Sequence, residues 1–286
     1  MDTKQPLRVR GSGWTMLEAI AMTSGVFLIA FMFAPVGMGG GMLFVPLLHY
    51  LAGWPIDGTL LAVSLSLTWA VSIGSGLRHR REGHHHPEAT ASVLYGAIVG
   101  ALVGVAIVLA LGDGLDTAFK LLSIVMLVWA LVKTWTARTT SIEDEPDIGE
   151  EVELMHRVPL RIGGGVGGAL SSVLGIGAGV VYVPVLQQQA GLGPRTAIGS
   201  SLSVMMVVVP VAIFAMLITD PSGLFGGVAE VPWWTFVLPV LAYVGATSGA
   251  TYGIENISKE NIMNVFMAMV AVVLVRYVLD VVSVIT

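Results

Sequence analysis

The sequence contains no cysteine. Disulfides, thiolate metal sites and cysteine nucleophiles are therefore excluded together. Charge is scarce as well: 12% of the 286 residues are charged, where a soluble domain carries about 25%. No Gly-Lys-Ser/Thr follows any glycine-rich run, and no parallel-sheet pattern surrounds one, so an ATPase phosphate loop is not present. Only one long hydrophilic stretch interrupts the chain, around Ser141-Ile-Glu-Asp-Glu-Pro-Asp-Ile-Gly-Glu-Glu151. That leaves no room for a sizeable soluble domain. Nothing points to a cofactor, a metal or a nucleic-acid partner.

Apolar residues fill the rest. They make up 55% of the chain, and the mean hydropathy is +0.83. Several runs exceed the roughly 18 residues that mark a membrane-spanning helix. The expected class is an all-α polytopic membrane protein in a lipid bilayer. The expected location is the cell membrane, with multiple passes. Lys4, Arg8 and Arg10 precede the first run. That run, from Trp14 to Pro35, is longer than the roughly 7–15-residue core of a signal peptide, so it reads as a retained first span.

One stretch occurs twice. Gly37-Met-Gly-Gly-Gly-Met-Leu-Phe-Val-Pro-Leu-Leu48 returns 138 residues later as Gly175-Ile-Gly-Ala-Gly-Val-Val-Tyr-Val-Pro-Val-Leu186. A hydroxyl-rich run follows each copy, Ser64, Ser66 and Thr68 in the first and Ser200, Ser201 and Ser203 in the second. The chain is a duplicated unit. Residues 1–136 form the first transmembrane repeat, 137–158 a polar cytoplasmic linker and 159–286 the second repeat. The apolar segments are 14–36, 41–52, 58–77, 88–111 and 117–136, then 160–174, 179–190, 196–218, 232–253 and 261–283. Segments 41–52 and 179–190 are too short to cross about 30 Å of hydrocarbon at 1.5 Å per residue. Each follows glycines and contains a proline. Short, broken helices at matching places in two halves point to a transporter's binding site.

Charge bears on topology. The loop after the third segment, Arg78-His-Arg-Arg-Glu-Gly-His-His-His86, is basic, while its counterpart from Asp220 to Glu230 has no Lys or Arg. Equivalent loops with opposite charge lie on opposite faces under the positive-inside rule. About five segments per half, in inverted repeats, produce that pattern, with the basic loops inside. If the short segments turn back instead, the halves have four spans and run parallel.

The candidate substrate-binding residues are Gly39, Gly40, Gly41, Ser64 and Ser66 in the first half, and Gly177, Ala178, Gly179, Ser200 and Ser201 in the second. Glycines bare the first N–H groups of the helix behind them, and a helix start suits an anion. Hydroxyls donate to an oxyanion without bringing charge into the membrane. The plainer alternatives are close helix packing for the glycines and helix–helix or back-bonding for the hydroxyls. His49 and Gln187 hold the same place in the two repeats, three residues after the shared proline. They are candidates for proton coupling or polar lining, or they simply meet water at the surface. Arg276 and Asp280, four apart, suit a surface pair. His84, His85 and His86 read as part of the basic loop and not as a metal site.

The two glycine-rich boxes, with Ala197-Ile-Gly-Ser-Ser-Leu202 after the second, resemble those of the TauE/SafE sulfite exporter family, also called the 4-toluene sulfonate uptake permeases. The resemblance extends over nearly the whole chain. It implies a secondary carrier for sulfite, sulfoacetate or other small sulfur-containing anions, acting as an exporter with proton coupling. Sulfur specificity comes from the resemblance alone. A channel or permease for another small solute, a membrane enzyme and a membrane subunit without transport of its own are the readings from other classes. Oligomeric state and substrate identity are left open by the sequence.

Overall fold

The computed structural model describes residues 16–34, 40–139, 156–220, 231–256 and 259–285. Among them are helices and no strand: α1 (Met16–Phe33), α2 (Gly41–Ala52), α3 (Gly58–Arg81), α4 (Pro87–Leu111), α5 (Leu115–Thr139), α6 (Arg157–Leu174), α7 (Gly179–Ala190), α8 (Pro194–Ile218), α9 (Leu238–Asn256) and α10 (Lys259–Ile285). Three stretches of the described residues are long and apolar enough to cross a membrane: Gly58–Arg81, Pro87–Val132 and Pro194–Ile218. The architecture is that of an all-α membrane protein.

Local sequence explains the helix ends. Pro87 and Pro194 occupy first-turn positions of α4 and α8, where a missing N–H costs nothing. Asp57 caps α3 by accepting from the Leu60 N–H at 2.8 Å. The short helices α2 and α7 each contain 12 residues and end at Gly53 and Gly191, both left-handed. At 1.5 Å per residue each covers about 18 Å. Both run through their proline, at Pro46 and Pro184. Neither helix breaks at its proline; α7 follows a non-helical stretch at 175–178, and α2 begins directly after left-handed Gly40.

Two boundaries differ from the hydropathy reading by more than three residues. α3 continues to Arg81 rather than stopping near 77, because long basic side chains carry a helix past the apolar zone. The segment expected from 232 opens with a 3-10 turn at Trp233–Val237, and α9 begins only at Leu238. Pro239 sits in its first turn, where the missing N–H is tolerated.

The helices of the two halves pack in exchange. α1 lies on α9 and α6 lies on α4, while α3 packs on both α8 and α9 and α4 on α8. Exchanging the first five helices for the last five leaves this pattern unchanged. α4 and α6 run parallel in very close contact: Gly96 lies against Arg161 and Gly165, Gly100 against Gly165, and Gly104 against Ala169 and Ser172. A Cβ at Gly96 or Gly100 would strike a backbone carbonyl of α6. α1 and α9 repeat this relation, with Gly245 on Phe27 and Gly249 on Phe31. The equivalent helices α3 and α8 run antiparallel. Trp69 Nε1 donates to the Met206 carbonyl at 3.0 Å, Gly76 lies against Leu202, and Gly199 lies against His79 and His84.

Candidate functional site

The two glycine-rich boxes meet in the interior. Residues 171–180 are buried without interruption, as are 40–46. Gly41, the first residue of α2, abuts the other box: a Cβ there would sit 2.5 Å from Ile176 Cα and 3.0 Å from the Gly175 oxygen. The same Cβ would lie 2.8 Å from Thr68 Oγ1. A Cβ on Gly177 would sit 2.5 Å from Thr68 Cγ2 and 2.7 Å from Met205 Sδ. Thr68 of α3 therefore touches both boxes. One turn earlier on the same face, Ser64 donates to the Gly175 oxygen at 2.8 Å.

The residues before α2 and α7 are left-handed in both halves: Gly40 at φ +71° and Ala178 at φ +54°. This turn points the chain into each helix with its first N–H groups, at Gly41–Met42 and Gly179–Val180, ahead of the intrahelical ladder. Ala178 is the one described non-glycine residue with positive φ. Such a residue is strained and persists where its surroundings hold it.

The expected site residues separate into groups. Gly41, Gly177 and Ser64 come together at this centre, Ala178 and Gly179 follow Gly177 in the chain, and Gly40 faces Ile29 and Phe44 of its own half. Ser201 is fully buried, and its hydroxyl has no hydrogen-bond partner among the described residues. Ser66 donates back to the Val63 carbonyl at 2.7 Å, which is the plainer of its two expected roles. Ser200 accepts from the His86 N–H at 3.0 Å and so holds the loop after α3. Gly39 lies outside the described residues. Gln187 is half-buried in α7. His49 is at the far end of α2, with Nδ1 2.7 Å from the Trp54 carbonyl oxygen. That places it about 12 Å along the helix from Gly41.

Thr68 is the residue that the candidate list omits. Its side chain is fully buried, and Oγ1 has no hydrogen-bond partner among the described residues. The signal was its spacing: Ser64 and Thr68 are four apart and share one face of α3.

The two ends of the molecule differ. At one, Tyr50 donates to Asp280 at 2.8 Å, Lys120 pairs with Asp116 at 2.9 Å and approaches Asp280 at 3.5 Å, and the Arg276 guanidinium lies 4.8 Å from the centre of the Tyr50 ring. Asp280 thus meets α2 and α5, while Arg276, the partner that its spacing suggests, lies over the Tyr50 ring and forms no ion pair with Asp280. At the other end His86 meets Ser200, and the His156 N–H donates to the Gln189 oxygen at 3.3 Å. His85 sits there with Nδ1 3.3 Å from Ser203 Oγ. Burial holds its pKa below the usual histidine value, and the charges of Arg80 and His86 add to that. Among the described residues no group of three His, Asp or Glu side chains is placed to hold a metal ion.

The family model described as Sulfite exporter TauE/SafE matches residues 22–277. The chain belongs to the TauE/SafE family. The match takes in both glycine-rich boxes and every helix that bears on the site. No curated protein and no solved structure matches the chain. At the level of the family, this is a membrane transporter of sulfur anions, a family of transporters and not of enzymes.

Proposed function

We propose that this TauE/SafE protein is a secondary exporter of a small sulfur oxyanion of the sulfite or organosulfonate class, multi-pass in the cell membrane. The anion binds between the starts of α2 and α7. One observation carries the reading: two helix starts, Gly41 and the run Gly177–Gly179, converge on one buried, unpartnered threonine. Helix starts present N–H donors and partial positive charge to an anion. Coupling to protons belongs to the same proposal.

Inverted repeats belong to it too. A membrane in which α2 and α7 each cross makes α3 and α8 antiparallel, whereas turning back would make them parallel. The antiparallel contacts of Trp69 with Met206 and Gly76 with Leu202 support the crossing arrangement. The ends agree in charge. Arg78, Arg80, Arg81, Arg157 and Arg195 gather where His86 meets Ser200, while Asp57, Asp113 and Asp116 gather where Tyr50 meets Asp280. Under the positive-inside rule the basic end is cytoplasmic.

The test is efflux from vesicles that contain the purified chain and are loaded with sulfite. Saturable efflux that is lost in Gly177→Val, a change that meets Thr68 and Met205, supports the site. Sulfite flux that rises linearly without saturation makes the protein a channel, and flux indistinguishable from empty vesicles makes it a subunit without transport of its own.

A further inference from the structure

Among the described residues that meet at the site, none carries a formal positive charge. Among the described residues, the buried polar and charged side chains include two basic groups, His79 and Lys120. Both are remote. His79 is eleven residues from Thr68, about 16 Å along α3, and Lys120 is held by Asp116 on α5. Residues 35–39 are Pro-Val-Gly-Met-Gly, and residues 175–179 are Gly-Ile-Gly-Ala-Gly, so neither box adds an ionisable group. The other titratable groups on the lining helices are His49 and Tyr50 at the end of α2, Arg78, Arg80 and Arg81 in the last turn of α3, Tyr182 on α7 with its ring against Gly167, and Arg195 in the first turn of α8. None of these is among the groups that meet at Gly41, Gly177 and Thr68.

Positive potential at the site therefore comes from the helix starts. Each supplies about half an elementary charge, so α2 and α7 together supply about one. An anion of charge minus one is balanced. An anion of charge minus two would leave about one negative charge unbalanced in the interior, where charge without a partner is disfavoured. Thr68 adds a second constraint. Ammonium and guanidinium groups only donate, but a hydroxyl both donates and accepts. The unpartnered Thr68 Oγ1 can accept from an O–H on the ligand while the helix N–H groups hold its bare oxygens.

We infer that the site takes its oxyanion in the singly charged form, hydrogen sulfite and not the sulfite dianion, so that the transported proton is carried on the substrate. The inference rests on the anion site proposed above and names its charge selectivity. It assigns Thr68 as a specificity-determining residue. It also removes the need for a side-chain proton carrier at His49, whose ring is engaged with the Trp54 carbonyl at the far end of α2.

The purified full chain in detergent tests this through ligand-induced shifts in melting temperature, from which apparent affinities follow. Three probes separate the possibilities: methanesulfonate, a permanent monoanion; sulfate, a dianion throughout; and sulfite, titrated from about pH 5 to about pH 9. The expected result is binding of methanesulfonate at every pH, sulfate weaker by at least about tenfold, and an affinity for total sulfite that falls about tenfold per pH unit once hydrogen sulfite ionises. Thr68→Val, close in shape, should weaken sulfite binding about tenfold or more while the unliganded protein melts near its normal temperature. Sulfite affinity that rises with pH, or sulfate binding equal to methanesulfonate, overturns the charge selectivity and leaves the anion site standing. If none of the three binds at any pH, the anion site falls and the inference falls with it.

Discussion

Ser64 donates its hydroxyl to the carbonyl oxygen of Gly175 across 2.8 Å of fully buried interior. A helix of the first half thereby holds the glycine-rich turn of the second. Ser64→Ala should leave that carbonyl without a donor, at about 1–3 kcal/mol. The expected outcome is a lower melting temperature in detergent together with weaker anion binding. A variant as stable as the parent would mean that the turn holds its shape unaided.

The interface of α4 and α6 makes a sharper comparison. Gly100→Ala would place a methyl group in the Gly165 backbone, whereas Gly165→Ala meets its nearest atom, the Gly96 oxygen, at an ordinary 3.7 Å. Gly100→Ala should therefore cost at least about 1–3 kcal/mol, as overpacking does. Gly165→Ala should stay within about 0.5 kcal/mol of the parent. Equal melting temperatures for the two variants would disprove the close contact.

Ala178 is left-handed at φ +54°, where Gly40 holds the matching place in the first half. A left-handed alanine is disfavoured by roughly 1–2 kcal/mol. Ala178→Gly relieves this but adds about 0.4–1 kcal/mol of unfolded-state entropy. The net expectation is a small gain in stability, and a clear loss in a thermal melt would contradict the strained turn.

His85 gives a pH dependence. Its folded pKa lies below the unfolded one, so the unfolded chain binds a proton first as pH falls. Its contribution is favourable above the ordinary histidine pKa and is lost as pH drops through the folded value. Stability should thus fall on acidification over that window, and His85→Gln should flatten the slope. An unchanged slope would assign the effect elsewhere.

Because the chain has no cysteine, single cysteines report topology directly. Pro55, just before α3, and Pro194, the first residue of α8, are both exposed, at equivalent places in the two halves. Pro55→Cys should react with an impermeant maleimide from outside the cell and Pro194→Cys from the cytoplasm. Labelling from the same face would make the repeats parallel.

How much of this was legible beforehand depends on whether the cause was local. The bounds of α2 and α7 read directly from hydropathy and flanking glycines, because those glycines end the helices where they stand. Ser64 and the boxes were legible from the duplication. Thr68 was harder, because its importance comes from contacts with Gly41 and Gly177, one of them over a hundred residues away. The cluster of Tyr50, Lys120 and Asp280 likewise joins three helices distant in sequence, and only Arg276 is near Asp280 in the chain. Ser66 and Ser200 share the hydroxyl-rich runs with Ser64 and Ser201 but do not align with each other between the halves as that pair does. A back-bond in one case and the loop after α3 in the other decided their roles.

The exchange of α1 onto α9 and of α6 onto α4 also bears on how the molecule is made. When residues 1–139 leave the ribosome, the glycine face of α4 has no partner until α6 arrives. Lipid or another chain must cover it in the interval. A gene cut in the linker should therefore yield two fragments that are each unstable alone and that reassemble when made in the same cell.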